Sequence, residues 1–285
     1  MSKYFINLLF QNATIDIMER FGNYLKLIEI GQHTPVFTET NYSIQGVDGV
    51  VNQGNTFAPF VIPVKFKVRV RDDQQYHLVT NEIRQFVSRR GNVYLQHYQL
   101  PFIKYPISKI ETQFTRQSST TGEMLINFTC STGCGISIVS TAELQDKKEF
   151  WAMGGGLYSK DRYQYTFKDQ KNFNVYNEGL DTIDVRKRHA LTITISGVEY
   201  AADDDRETKA IQVENLTNGD KFRYEKELRK KDKLVLSGVF PLLNGEHAGK
   251  DTNHEIIRIN GGKNNFKIYG AEKFTITFDF HFLYR

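Results

Sequence analysis

Three clusters of residues carry side chains that could do chemistry. The first is the acidic run Asp203, Asp204, Asp205 and Glu207. A glycosidase needs two carboxyls that flank one bond at a set separation, and neighbours on a single turn give no such pair. A calcium loop alternates its ligands and carries a glycine at its bend, and this run has the acids without the glycine. It reads as an exposed acidic turn. The second cluster is His247, Asp251, His254 and Glu255, all inside the polar stretch 245–255. Two histidines with six residues between them fit no zinc spacing, so this too reads as a hydrophilic loop. The third is Cys130 and Cys134, a C-x3-C spacing that matches neither a redox pair nor half of a zinc site. Either thiol would need a histidine and a base alongside to act as a nucleophile; buried structural cysteines are the better reading.

Other reactive patterns are missing. Gly154, Gly155 and Gly156 lack the preceding strand and following helix of a phosphate cradle, and no G-x-S-x-G, H-E-x-x-H or P-loop pattern occurs. The sequence therefore assigns no catalytic residue, no cofactor and no metal ligand. It describes a binding protein or a building block rather than an enzyme.

The elements that would position any site are mostly strands. Among 285 residues there are 21 Phe and 15 Tyr against 6 Pro and one Trp, a composition that suits pleated surfaces. The length allows one large or two modest domains. A net charge of +4, from 37 basic and 33 acidic residues, is too dilute for a nucleic-acid stripe; Arg186–Arg188 and Arg229–Lys231 read as solvated loop charges. Two cysteines do not make a disulfide framework, so a reducing compartment with free thiols is expected. The first residues lack a signal peptide's long apolar region, and no run is long and apolar enough to span a membrane.

The stretch 60–130 organises the rest. Val64, Phe66, Val68 and Val70 alternate with Lys65, Lys67, Arg69 and Arg71, which predicts a strand with one buried and one wet face. The four cations form the one concentrated basic surface, either a plain solvated face or a surface for DNA or an acidic partner subunit. Asp72 or Asp73 offers an N-cap. Val79, Ile83, Phe86 and Val87 then form one helical stripe, with Arg89, Arg90 and Gly91 as the stop, predicting a helix over about 74–90. Pro101 and Pro106 bracket Phe102 and Tyr105 and argue for a sheet edge or loop there. Strands are expected at 107–114 and 124–130 around a long polar turn, 116–123. Before this stretch, 43–54 reads as an extended arm. After it, Phe150, Trp151 and the three glycines mark a junction. Beyond 172 short strands recur between turn signals, including Asn218-Gly219, 255–259 and a final strand with Phe274, Ile276, Phe278, Phe280 and Phe282 on one face. That pattern argues for a β-sandwich.

The order of several pieces resembles the distal tail protein (Dit) family of long-tailed phages that infect Gram-positive bacteria. They are the alternating strand Val64–Val68, the helix ending near Arg90, a tyrosine-bearing strand at Tyr94, Pro101 followed by Tyr105, and Ile126-Asn127-Phe128-Thr129-Cys130. The aromatic pair Phe150-Trp151, the turn Asn177-Glu178-Gly179, the piece from Ile211 to Asn215, the Asn-Gly at 244 and the approach Gly262 to Asn264 continue it.

The resemblance implies a mainly β protein of two domains. The first, residues 1–145, would be a β-sandwich or barrel-like ring domain with one α-helix. The second, residues 146–285, would be a galectin-like β-sandwich of the carbohydrate-binding-module type. It further implies a homo-hexameric ring in the virion, at the phage tail tip, assembled in the host cytoplasm. The ring would join the tail tube protein to tail-associated, fibre or receptor-binding proteins, with DNA in transit through its centre. Lys65, Lys67, Arg69, Arg71, Pro101, Phe102 and Tyr105 are then the candidate subunit or partner surface. The alternative function is recognition of host cell-wall carbohydrate, with Tyr176 or Tyr200 as the residue that would stack on a sugar. A wall hydrolase lacks an acid/base pair.

Overall fold

The computed structural model describes residues 4–32, 36–88, 91–144, 163–200 and 209–285. The chain divides into two units, Met1–Ile136 with Arg285, and Ser137–Tyr284. It is mainly β.

The first unit contains β1 (Ile6–Leu9), β2 (Thr14–Asp16), α1 (Ile17–Phe21), β3 (Leu25–Ile30), β4 (Phe37–Tyr42), β5 (Val51–Phe57) and β6 (Phe60–Arg69). It continues with α2 (Asp73–Val87), β7 (Val93–His97), β8 (Ile103–Arg116), β9 (Thr121–Cys130) and β10 (Gly135–Ser137). Its main sheet runs β2-β1-β7-β8-β9-β6-β3, with β10 beside β8. The alternation in β6 is that of a strand with one dry face: Val64, Phe66 and Val68 are fully buried, and the lysines between them point the other way. Phe66 pairs in register with Met124 on β9 and with Leu27 on β3.

Helix α2 starts where the sequence places its cap. The Asp72 carboxylate accepts the Gln75 backbone N–H at 2.8 Å, which satisfies one of the orphan donors of the first turn. That bond, with Arg71 beside it, holds the Asp72 carboxyl below its usual range. The stripe Tyr76, Val79, Ile83, Phe86 and Val87 is buried, each such side chain contributing about 1.5–3 kcal/mol. Phe86 meets Phe21 of α1 edge-on at 5.5 Å. The helix ends at Val87, with Ser88 closing on the Arg84 carbonyl, before the expected stop at Arg90 and Gly91. Arg89 and Arg90 lie outside the described residues.

Three expectations are corrected here. The unit has a second helix, α1, whose cap is Asp16 accepting from Met18 N–H; five residues are too few to show a helical period in the sequence. The strand with Pro106 is central, since β8 has β7 on one side and β9 on the other. Pro106 stands opposite Tyr94 in the β7–β8 ladder, and the β8–β9 ladder starts one residue later, at Ile107↔Cys130. The polar turn after β8 spans only residues 117–120, where the Ser118 hydroxyl accepts from the Thr120 and Thr121 N–H groups. Pairing with β9 carries the polar residues on either side of it into strand.

The arm is a two-stranded hairpin. Among the described residues β4 and β5 pair with each other and with no other strand, and the base closes through Ala58 N–H to the Val36 carbonyl at 2.8 Å. Cys130 and Cys134 are both buried and form no disulfide with each other.

The second unit begins with α3 (Thr141–Leu144), a helix the sequence gives no sign of, whose Thr141 hydroxyl bonds both the Phe278 carbonyl and the Phe280 N–H. There follow β11 (Thr166–Lys168), β12 (Asn172–Asn177), β13 (Leu191–Glu199), β14 (Ile211–Asn215), β15 (Asp220–Tyr224) and β16 (Lys233–Ser237). The last are β17 (Phe240–Leu243), β18 (Glu246–His247), β19 (Gly262–Tyr269), β20 (Lys273–Phe280) and β21 (Leu283–Tyr284). A six-stranded sheet, β11-β20-β13-β16-β17-β18, and a four-stranded sheet, β12-β19-β14-β15, make the expected sandwich. Phenylalanines join the two sheets: Phe167 stacks on Phe173 at 4.0 Å, Phe173 on Phe266 at 5.8 Å, and Phe266 meets Phe278 at 4.8 Å. The expected strand at 255–259 is instead a loop, touching the fold by the isolated bridge Ile183↔Ile259.

That loop is fastened by buried asparagines. Asn264 is fully buried. Its side chain donates to the Asn260 and Gly262 carbonyls at 2.7 and 3.1 Å and accepts the Asn260 N–H at 2.8 Å and the Asn215 amide at 3.2 Å. Asn215 also donates to the Arg258 carbonyl at 2.8 Å. Truncating Asn264 strands several buried backbone groups at once, each costing about 1–3 kcal/mol. Asn264→Ala is expected to destabilise the second unit by about 3 kcal/mol or more, read by denaturant unfolding; a change below about 1 kcal/mol would remove this network from the account.

A surface cluster gives a pH prediction. Glu199 on β13 meets Lys230 at 2.5 Å and Lys273 at 2.8 Å, and these two ammonium groups pull its carboxyl down to about 2. A depressed carboxyl contributes above its unfolded value, near 4.5, and that contribution is lost as pH falls towards 2. Carboxyl-carbon NMR should show the Glu199 midpoint near 2, moving back towards the ordinary glutamate range in Lys230→Ala/Lys273→Ala.

Candidate functional site

The cationic row is placed where the alternation puts it, but it is not four equivalent charges. The Lys65 ammonium lies 2.8 Å from Glu123 on β9, and that hydrogen bond holds the Glu123 carboxyl below its usual range. Arg71 falls beyond the end of β6 and pairs with Asp72 at 3.2 Å. Lys67 and Arg69 form no ion pair among the described residues; Lys67 stands across from Lys26 of β3 on one side and from Glu123 of β9 on the other. The usable positive charge is therefore a shorter patch, Lys26, Lys67 and Arg69, at the β6–β3 edge of the sheet.

The proline segment splits in two. Pro101 and Phe102 occupy the turn between β7 and β8, where the Pro101 carbonyl accepts from the Gln96 side chain at 2.7 Å. Pro101 is exposed and Phe102 half-buried. Tyr105 does not belong to this surface. It is 1% exposed, with its ring parallel to His97 at 5.8 Å and edge-on to Phe60 at 6.1 Å, and burial pushes its hydroxyl up to about 12. Its place on the inward face of β8 follows from two-residue alternation with Ile103 and Ile107, a pattern masked in the sequence by the two prolines.

Among the described residues of the first unit, the hairpin arm carries the largest group of exposed apolar side chains. Val36, Phe37, Tyr42, Ile44, Val47, Val50 and Val51 are all exposed, Val50 at 63%. Phe37 and Phe57 meet across the base at 4.4 Å. Its only charges are Glu39 and Asp48. An apolar group of this extent marks an interaction surface.

The two alternatives for sugar stacking lie apart in the second unit: Tyr176 is on β12 and Tyr200 follows the end of β13. Both are half-buried. The Tyr200 hydroxyl accepts from the Leu228 N–H at 3.1 Å, and Lys209 sits 5.8 Å over its ring. The Asp203–Glu207 run, Phe150, Trp151 and Gly154–Gly156 lie outside the described residues.

The structure instead shapes a cavity that sequence reasoning missed. It has a volume of about 250 Å³. Leu191 and Ile193 of β13, Leu236 of β16 and Phe222 of β15 form its apolar floor, and Val239, Phe240, His247, His254 and Glu255 stand around it. A two-residue turn, Gly238-Val239, joins β16 to β17, and Gly238 takes φ +60, the conformation for which such hairpin turns select glycine. Phe240 follows at once and is 58% exposed, with His247 edge-on to it at 5.7 Å. The loop 252–257 supplies the other wall. Asn253 fastens it to β15, donating to the Lys221 carbonyl at 2.7 Å and accepting the Arg223 N–H at 3.0 Å. Asp251 is used by Lys226 at 2.9 Å. Among the described residues no group of three or more His, Cys, Asp and Glu side chains could hold a metal ion.

Residues 15–130 match the family model described as the phage tail protein RIFT-related domain. No curated protein matches the chain. Among solved structures the chain is similar to the SPP1 Dit (gp 19.1) protein, described as a paradigm of the hub adsorption apparatus in Gram-positive infecting phages. The identity is 12% and the TM-score 0.65, covering 97% of this chain and 99% of that one. Two structures of the phage p2 baseplate in its activated conformation, with Ca and with Sr, are also similar. The first has 10% identity and a TM-score of 0.42, covering 98% of each chain. The second has 10% identity and a TM-score of 0.41, covering 98% and 97%. The likeness to SPP1 Dit is one of fold and extends over both units.

Proposed function

We propose that this chain, which carries a phage tail protein RIFT-related domain over residues 15–130, is a structural hub protein of a phage tail, a component of the virion. The observation that carries the reading is that family match within a fold shared, nearly end to end, with SPP1 Dit. It acts by assembly and performs no reaction. Six copies close into a ring at the tail tip that joins the tail tube to fibre or receptor-binding proteins, and DNA passes through the centre. Assembly takes place in the host cytoplasm.

The first unit builds the ring. A closed ring uses heterologous contacts, one patch on each copy meeting a different patch on the next. The hairpin arm fits one side of such a contact, being apolar with two negative charges. The Lys26–Lys67–Arg69 edge fits the other, since opposite charges fix register and orientation more than they add affinity. The Pro101–Phe102 turn remains available to a neighbouring tail protein. Negative-stain imaging of the purified chain tests this: six-fold rings are expected, and fields of single small particles at high protein concentration count against it.

A further inference from the structure

We propose that Arg285 is the residue that fixes the direction of the hairpin arm, so that the arm is set for assembly only after the chain has been made through the second unit. The arm needs such a fixture because its own bonds do not supply one. β4 and β5 hold each other, and the Ala58-to-Val36 bond and the Phe37–Phe57 contact close its base. These bonds stiffen the arm without aiming it. Phe57 ends β5 and Phe60 begins β6, so on this side only Ala58 and Pro59 separate the arm from the main sheet. A rotation about so short a leg would swing the tip, residues 46–49, away from its place.

Three contacts hold the root of the arm. Every residue of β4 and β5 is exposed except Phe57, which is half-buried. The Arg285 guanidinium lies over the Phe57 ring, and its Nη1 donates to the Gly133 carbonyl at 3.1 Å. One planar cation thus joins the last ring of the arm to the turn between β9 and β10. A guanidinium suits both tasks at once, since its face covers an aromatic ring while its edge donates. Gly133 is shaped for the third contact. It has φ +66, and a Cβ there would come within 3.0 Å of the Ala58 carbonyl oxygen and 3.1 Å of Phe57 Cβ, so the turn lies directly against the leg of the arm. The turn is braced in its own right. The Thr132 hydroxyl donates to the Cys134 carbonyl at 2.9 Å, and the Cys130 thiol reaches the same oxygen at 3.4 Å. The C-x3-C spacing thereby finds a structural use.

The chain order gives this clamp a regulatory sense. Arg285 groups with the first unit, while Ser137–Tyr284 before it form the second. Domains fold in order as a chain is made, so the arm lacks its guanidinium until residue 285 has been added. An arm already held in its bound direction gives up less freedom on association than one that swings. The clamp therefore favours the assembly of chains made through the second unit over shorter ones. That consequence rests on the hub reading; the hold of Arg285 on the arm does not.

The test uses the full-length chain with nitroxide labels at Gln45→Cys in the arm and Asn81→Cys on α2. Both positions are exposed, whereas Cys130 and Cys134 are buried. Double electron–electron resonance in dilute samples reads the spread of arm directions, and light scattering on unlabelled chains reads the particle mass. The parent chain should give one narrow distance distribution and Arg285→Ala a distinctly broader one, with the melting temperature unchanged. The protein concentration at half-assembly should rise about tenfold in Arg285→Ala. Arg285→Lys, which keeps a cation over Phe57, should recover part of both effects. An arm in Arg285→Ala as narrowly distributed as in the parent overturns the proposal. So does a lowered melting temperature, which would make Arg285 a residue of the fold. Rings that form at the same concentration from both chains, despite a broader arm, overturn it too and leave the hub standing. A parent chain that stays monomeric contradicts the hub reading, and the arm distribution alone then decides the clamp.

Discussion

Replacing residues 37–57 with a short Gly/Ser linker should abolish the ring and leave both folded units intact. The expectation rests on how little the hairpin is tied to its own chain. β4 and β5 pair with each other alone, and their outward side chains, from Val36 to Val51, face solvent. Removing them takes away little intramolecular burial beyond the Phe57 ring at the base, which lies against the Arg285 guanidinium, so thermal unfolding of the remainder should change little. In an assembly the same side chains are the apolar surface available to bury, and burial is worth about 25 cal/mol for each Å² removed from water. A milder form is Lys67→Glu/Arg69→Glu, which places negative charge opposite the acidic arm; assembly should weaken, and added salt should partly restore it as the repulsion is screened. If the linker variant still forms rings, the arm is not a ring contact and the edge strands must carry the interface.

The other large effect is expected at Phe278. It lies fully buried on β20 and touches Phe167, Phe173 and Phe266, so it bridges the two sheets of the sandwich. Truncation removes its transfer free energy and leaves a cavity among aromatic rings that cannot collapse freely. Phe278→Ala should cost about 3–5 kcal/mol, lowering the melting transition of the second unit by about 10 °C or more. The cluster's four rings all belong to the second unit, so the transition of the first unit should stay in place. A single shared transition that moves as a whole would show that the two units unfold as one.

What the sequence disclosed follows the range of each signal. Alternation and helical period are local, so β6, α2 and the Phe274–Phe280 strand could be read directly, while the choice between Asp72 and Asp73 as the cap of α2 needed the structure. The Asn218-Gly219 turn between β14 and β15 was legible for the same reason. Pro106 misled because a proline reports a missing donor and not which neighbour would have received it; β8 is central all the same. Tyr105 went with it, read as surface when it belongs to the inward face. α1 and α3 are too short to show a period. The 255–259 segment has strand-like residues, but buried Asn215 and Asn264 engage its neighbourhood through side-chain bonds, a long-range effect that no window of sequence contains. The cavity was hidden for that reason too. Phe240, His247 and His254 come from a hairpin and a loop that meet only in the fold, and each looks ordinary alone.

The central claim is that the chain works as a closed homo-oligomer at a phage tail tip. The most direct measurement is the mass of the purified full-length chain in solution, by light scattering coupled to size separation, across a range of protein concentrations. The account predicts a species of six 33.0 kDa chains that gives way to the monomer in the 37–57 linker variant. A particle that stays at the mass of one chain at the highest concentration would contradict it.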